Sequence, residues 1–264
     1  MILASASPAP LILSVLSAAA YAYPALRRTL SVRASITLVT AGWALHGVLL
    51  VMALWGAPAL FGFAPALSVT VWLVAAVYGL ETLIFPQLPT RWALSGLGTA
   101  TVLLAYSFPG SPMPETASIW LPLHLALGIA CYGLFAMAVA HAWFIRRAER
   151  RIRRAEDTHS GLPLLTLERL TYRFVGAGFI LLSGTLVVGA LFGEVVWGHA
   201  WRWDHKTVFS ILSWLTFAVL LLGRYRLGWR GKAAARVLYT GAIFLLLAYV
   251  GSRFVLEVVL GRTP

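Results

Sequence analysis

The sequence predicts an all-α fold, a polytopic bundle of about eight transmembrane helices, and three observations predict it. Of its 264 residues, 60% are apolar and only 11% charged, against about 45–50% and about 25% in an ordinary soluble domain. Mean hydropathy is +0.82. The apolar residues also fall into runs of the length a bilayer demands, since a hydrocarbon core about 30 Å thick takes about 20 residues at 1.5 Å rise. A water-soluble globule is excluded.

Eight runs meet that ruler: 8–26, 35–55, 66–85, 92–108, 120–145, 174–196, 208–222 and 237–260. The fourth and seventh are the shortest. Breakers separate them, as in Gly56-Ala57-Pro58, Pro86-Gln87-Leu88-Pro89 and Phe108-Pro109-Gly110-Ser111-Pro112, where proline and glycine end helices and form turns. None of the connections is long enough for a soluble domain, and no repeat of fixed period relates the first four runs to the last four. The expectation is one membrane domain over residues 1–264.

Charge fixes the expected orientation. The 21 Lys and Arg outnumber the 9 Asp and Glu, for a net charge of +12. Placing both termini on the outer, periplasmic side puts 17 of the 21 basic residues inside, as the positive-inside rule requires. The outside keeps Arg202, Lys206, Arg253 and Arg262 against Glu115, Glu194, Asp204 and Glu257, a net charge of zero. The run Arg146, Arg147, Arg150, Arg151, Arg153, Arg154 is then a topology signal facing anionic headgroups, and no nucleic-acid partner is expected. The first positive charges follow the first apolar run, so that run reads as a retained span rather than a cleaved signal peptide. The expected location is a bacterial inner membrane, crossed many times.

The single cysteine, Cys131, lies within an apolar run, so neither a disulfide nor a CxxC or CxxCH chemistry is available. No nucleophile and base pair, phosphate-binding glycine loop or carboxylate pair appears. Binding, not catalysis, is the expectation.

The most specific segment is Trp197-Gly198-His199-Ala200-Trp201-Arg202-Trp203-Asp204, between the sixth and seventh runs. Trp197 and Trp201 are four apart and share a face if helical. Tryptophan concentrates at headgroup depth in any membrane protein, but a belt needs no fixed spacing. This string resembles the tryptophan-rich WWD signature of the cytochrome c assembly family, the CcsA/CcmC-type haem-handling membrane proteins. Leu167-Glu168-Arg169-Leu170-Thr171-Tyr172-Arg173, Lys206-Thr207 and Gly228-Trp229-Arg230-Gly231-Lys232 extend the similarity, which is strongest over residues 120–260. In Trp203-Asp204-His205-Lys206 the histidine stands where many members carry proline, as in the YpjD-like branch.

The resemblance implies haem, b-type and non-covalent, held on the outer face, with an apocytochrome c or another membrane biogenesis protein as partner. A porphyrin needs flat aromatic surface, cations for its propionates and axial ligands for iron. Trp197, Trp201 and Trp203, with Gly198 and Asp204, are the expected haem surface, and Arg202, Lys206 or Arg253 the cations. His124 matches the family's histidine in the span before the WWD segment and is the first iron ligand considered, against the alternative of a buried imidazole bonded to a neighbouring helix. His46, within the second run, is the second, because ionisable groups at that depth are usually functional. His205 reads as a solvated loop residue or a ligand, and His199 as solvated. His141 and His159 fall toward the inner side, outside the site.

The family's second external histidine, after the WWD segment, has no counterpart in the last run. Arg253 and Glu257, four apart there, are expected to pair. Two other functions therefore stay open: a transporter of haem or another amphipathic solute, and a haem-free scaffold for a membrane partner. Few polar groups at mid-depth, chiefly His46, Ser183 and Thr185, count against the transporter.

Overall fold

A computed structural model describes residues 8–27, 29–56, 58–84, 91–113, 120–154, 164–194 and 203–261. The eight expected helices are present: α1 Ala9–Leu26, α2 Val32–Trp55, α3 Phe63–Ile84, α4 Arg91–Ser107, α5 Trp120–Arg153, α6 Leu164–Leu191, α7 His205–Leu227 and α8 Gly231–Leu246. The last continues through two π-helical turns, Leu247–Gly251 and Val255–Val259, on either side of Ser252–Phe254. Among the described residues seven helices are long and apolar enough to cross a membrane, and α4 is a shorter apolar helix.

The ends differ from expectation where polar residues are good helix formers. Helix α5 runs on to Arg153, because arginine and glutamate favour helix and Glu149 lies 3.9 Å from Arg146 and 3.8 Å from Arg153 at i,i+3 and i,i+4 spacing. Helix α6 begins ten residues before its apolar run, at Leu164. Helix α7 starts at a cap: the Asp204 carboxylate accepts from the Thr207 N–H at 2.9 Å. It ends at Gly228, whose φ of +63° lets the Trp229 N–H turn back to the Gly223 carbonyl at 3.1 Å, satisfying one carbonyl of the last turns.

The chain divides into two compact units, residues 1–76 with 89–114 and 253–264, and residues 77–88 with 115–252. In the first, α1, α2 and α4 close around Tyr21, which is 1% exposed. Gly42 and Gly98 make room, since a Cβ there would stand 3.2 Å and 2.9 Å from the Tyr21 ring; small residues allow such approach between membrane helices. Ser17 donates to the Gly42 carbonyl at 2.9 Å. Trp43 and Trp72 stack at 4.7 Å, and each indole N–H donates to the other residue's carbonyl, at 3.1 and 3.0 Å. A two-residue ladder pairs Leu60–Phe61 with Ser111–Pro112.

In the second unit, α5 and α6 form an antiparallel hairpin packed by α7 and α8. Phe135 of α5 stacks on Phe217 of α7 with ring centroids 3.7 Å apart. Gly178 lies under Phe135 and Gly241 under Phe217, and Ser213 donates to the Gly241 carbonyl at 2.9 Å. The Tyr132 hydroxyl reaches the Leu245 carbonyl.

Candidate haem-handling site

His124 sits one turn into α5, and the chain is folded so that the end of α6 lies beside it. The His124 ring donates a hydrogen bond to the Thr185 backbone. One turn further along α6, Gly189 leaves the ring its space: a Cβ there would stand 3.4 Å from His124 Cε1. Trp120, a turn before His124, stacks flat on Phe192 at 3.6 Å. An imidazole bonded to the backbone and, one turn away along the same helices, a stacked aromatic pair are thus built from one helical hairpin. The serine and threonine at mid-depth are spent within the bundle: Thr185 Oγ1 donates to the Leu181 carbonyl, and Ser183 accepts from the Trp214 indole of α7 at 2.8 Å.

Trp197, Gly198 and Trp201, with His199 and Arg202, lie outside the described residues. Trp203 is 74% exposed. Asp204 has a structural duty as the α7 cap. Partial burial pushes its carboxyl upward, but the Thr207 hydrogen bonds, with Lys206 and His205 nearby, hold it below the usual carboxylate range. His205 is exposed as the first residue of α7.

The other two predicted residues belong to the first unit. His46 is 1% exposed, shares a 2.6 Å hydrogen bond between Nε2 and Ser68 Oγ, and meets the Tyr21 ring edge-on at 6.0 Å. Arg253 Nη1 lies 3.7 Å from Glu257 Oε1, with both side chains largely buried. The Glu257 carboxylate in turn packs on Gly62, where a Cβ would stand 3.0 Å from its oxygens.

A buried pair that the sequence reading does not assemble lies in the second unit. His141 Nε2 is 2.9 Å from Glu81 Oε2, with side chains 0% and 8% exposed. The sequence reading sets His141 outside the site and assigns Glu81 no role. The available signal was a glutamate within an apolar run, since charged residues inside spans are seldom without function or partner.

The two strings flanking the signature also meet. Glu168 Oε1 accepts from Arg224 at 2.8 Å and lies 3.4 Å from Arg230 Nε. The Tyr172 hydroxyl donates to the Trp229 carbonyl at 2.7 Å, and the Arg224 guanidinium lies 4.5 Å over the Tyr172 ring. Residues 167–173 and 228–232 therefore form one clamp joining α6, α7 and α8.

Comparison with known proteins bears on the whole chain. An "Uncharacterized 28.8 kDa protein in nifR3-like 5'region" of Azospirillum brasilense is 31% identical over 207 residues, 74% of this chain and 76% of that protein. A "Cytochrome c biogenesis protein CcsA" of Prochlorococcus marinus (strain MIT 9303) is 27% identical over 197 residues, 60% of this chain and 62% of the relative. The CcsA of Gloeobacter violaceus is 34% identical over 92 residues, 35% and 27% of the two chains. The chain thus spans less than two thirds of the length of these CcsA relatives. No solved structure matches. The family described as cytochrome C assembly protein matches residues 8–260. A match that takes in every described helix leaves one assignment: the chain belongs to the cytochrome c assembly protein family.

Proposed function

We propose that this chain serves cytochrome c assembly by holding b-type haem at the outer face of a bacterial inner membrane, with His124 as an axial ligand of the iron. The observation that carries the reading is the bond from His124 to the Thr185 backbone. Metal-ligating histidines generally donate one ring N–H to such a partner, which sets tautomer and orientation for the other nitrogen. The donor set fits haem: an oriented imidazole, the Trp120–Phe192 stack and an exposed Trp203.

In this reading Trp197, Gly198, Trp201 and Trp203 give the porphyrin its aromatic surface. Asp204 acts by fixing where α7 begins, and so where Trp203 is carried. Lys206, beside Asp204 at the start of α7, supplies a cation for a propionate. His46 and His205 are the remaining imidazoles considered for iron. Haem supplies the macrocycle to be joined to an apocytochrome; the chain itself binds and orients. The protein is proposed as a presenting factor rather than an enzyme, of the YpjD-like branch, with both termini outside.

The test is the absorption spectrum of detergent-purified protein, oxidised and dithionite-reduced, for wild type and His124→Ala. A Soret band that weakens or shifts in the variant is expected. Folded protein from haem-replete cells with no Soret band would discard the reading and leave the scaffold. The transporter reading draws on one observation, the buried Glu81–His141 pair, since transport pathways place ionisable groups inside spans. Solute uptake by vesicles holding wild type but not Glu81→Gln would favour it.

A further inference from the structure

Three glycines of α6 lie opposite side chains of α5, and their contacts differ. An added Cβ would stand 3.1 Å from the Phe135 ring at Gly178, 3.5 Å from Leu127 Cδ1 at Gly184, and 3.4 Å from His124 Cε1 and 3.7 Å from His124 Nδ1 at Gly189. Gly178 answers to packing. A methyl group there presses on a ring that is 1% exposed and stacked on Phe217, so the ring cannot give way cheaply. At Gly184 and Gly189 a methyl group would rest near ordinary van der Waals separation.

Packing therefore does not demand glycine at 189, and alanine is the better helix former. What sets 189 apart from 184 is its neighbour. The backbone of α6 holds the imidazole at Thr185, through the bond on which the haem reading rests, and one turn later it withholds any side chain beside the ring edge. Glycine is the usual residue where the backbone must let a ligand come close. Cε1 is the carbon between the two ring nitrogens, so a side chain beside it flanks whichever nitrogen meets iron. A porphyrin carried by an axial histidine is a broad plate centred on that nitrogen, and a flanking side chain stands in its way.

We propose that Gly189 is a positioning residue for haem: by carrying no side chain beside the Cε1–Nδ1 edge of His124, it leaves the clearance a porphyrin needs to seat on that imidazole. The proposal rests on the haem reading above and deepens it. Gly184, with the same spacing to an aliphatic neighbour, has no such role.

The experiment titrates haemin into the detergent-purified full chain, follows the Soret band, and measures the midpoint of unfolding alongside. Gly189→Ala is expected to weaken haemin binding about tenfold, the lower end of the loss seen when the groups that orient a metal-bound histidine are altered. Its Soret maximum is expected to shift while its unfolding midpoint stays that of wild type. Gly184→Ala is expected to keep affinity, spectrum and midpoint, and Gly178→Ala to lower the midpoint while the folded fraction keeps its affinity. Equal haemin binding by Gly189→Ala and Gly184→Ala overturns the proposal and leaves the haem reading standing. A midpoint lowered together with affinity in Gly189→Ala overturns it as well, by making 189 a packing glycine like 178. Wild type that gives no Soret band with haemin, or one that His124→Ala leaves unchanged, overturns the haem reading and the proposal with it.

Discussion

Ser17, Tyr21 and Gly42 in the first unit and Ser213, Phe217 and Gly241 in the second make the same joint. In each, a serine donates to the carbonyl of a glycine on a neighbouring helix at 2.9 Å. The aromatic residue four places after the serine lies over that same glycine. The difference is in the aromatic. Phe217 stacks on Phe135 and the joint is dry. Tyr21 faces His46, and its buried hydroxyl has no hydrogen-bond partner among the described residues. One joint is optimised for packing, whereas the other carries a polar cost of the kind usually about 1–3 kcal/mol.

That comparison can be broken in order of severity. Phe217→Ala removes both the stack and the ring over Gly241, and is expected to cost about 3 kcal/mol, read as a lowered midpoint of unfolding in detergent. The lower end of the usual range applies because lipid is as apolar as the core, leaving packing as the main loss. Next come the glycines. Gly241→Ala sets a Cβ 2.8 Å from Phe217 and is expected to cost about 1–3 kcal/mol, more than Gly42→Ala, where the distance is 3.2 Å. Equal effects would show that the dry joint is no more tightly packed than the polar one.

The hydroxyl exchange sharpens the contrast. Phe217→Tyr is expected to destabilise by about 1–3 kcal/mol, and Tyr21→Phe to be neutral or stabilising. A marked loss in Tyr21→Phe, by the same unfolding assay, would show that the Tyr21 hydroxyl has an occupant of its own. The smallest effect is expected at the α7 cap. Asp204→Ala removes a cap of about 1 kcal/mol and Asp204→Asn nearly none, measured as amide exchange in the first turn of α7. Because the folded carboxyl sits below the usual range, its contribution is full above that range and fades as pH falls through the lowered value. Protection of the Thr207 N–H, taken relative to its intrinsic exchange rate at each pH, is therefore expected to fall in acid for wild type but not for Asp204→Asn.

The helices were legible because length and apolarity decide them in a membrane. Their ends were less so, since Arg146 to Arg153 read as loop by hydropathy yet extend α5 through the Glu149 pairs. The clamp of Glu168, Tyr172, Arg224 and Trp229 was visible only as two separate strings, because its contacts span about 56 residues of chain. Glu81 and His141, 60 apart in sequence, lacked any local signal joining them. The π turns on either side of Arg253 have no counterpart in the hydropathy pattern, which reads only one continuous apolar run there. Of the predicted haem residues, His124 was legible from its matched string, while its Thr185 bond depends on the α5–α6 pairing.

The Asp204 cap separates two quantities that a loop usually confounds, reach and phase. Because the carboxylate defines where α7 begins, a residue inserted between Trp203 and Asp204 lengthens the arm that carries the tryptophan and leaves the helix as it was. The same insertion just after Asp204 turns the arm by about 100° around the helix axis, unless the cap is given up. The signature's last residue is thus the index mark of a dial whose pointer is Trp203.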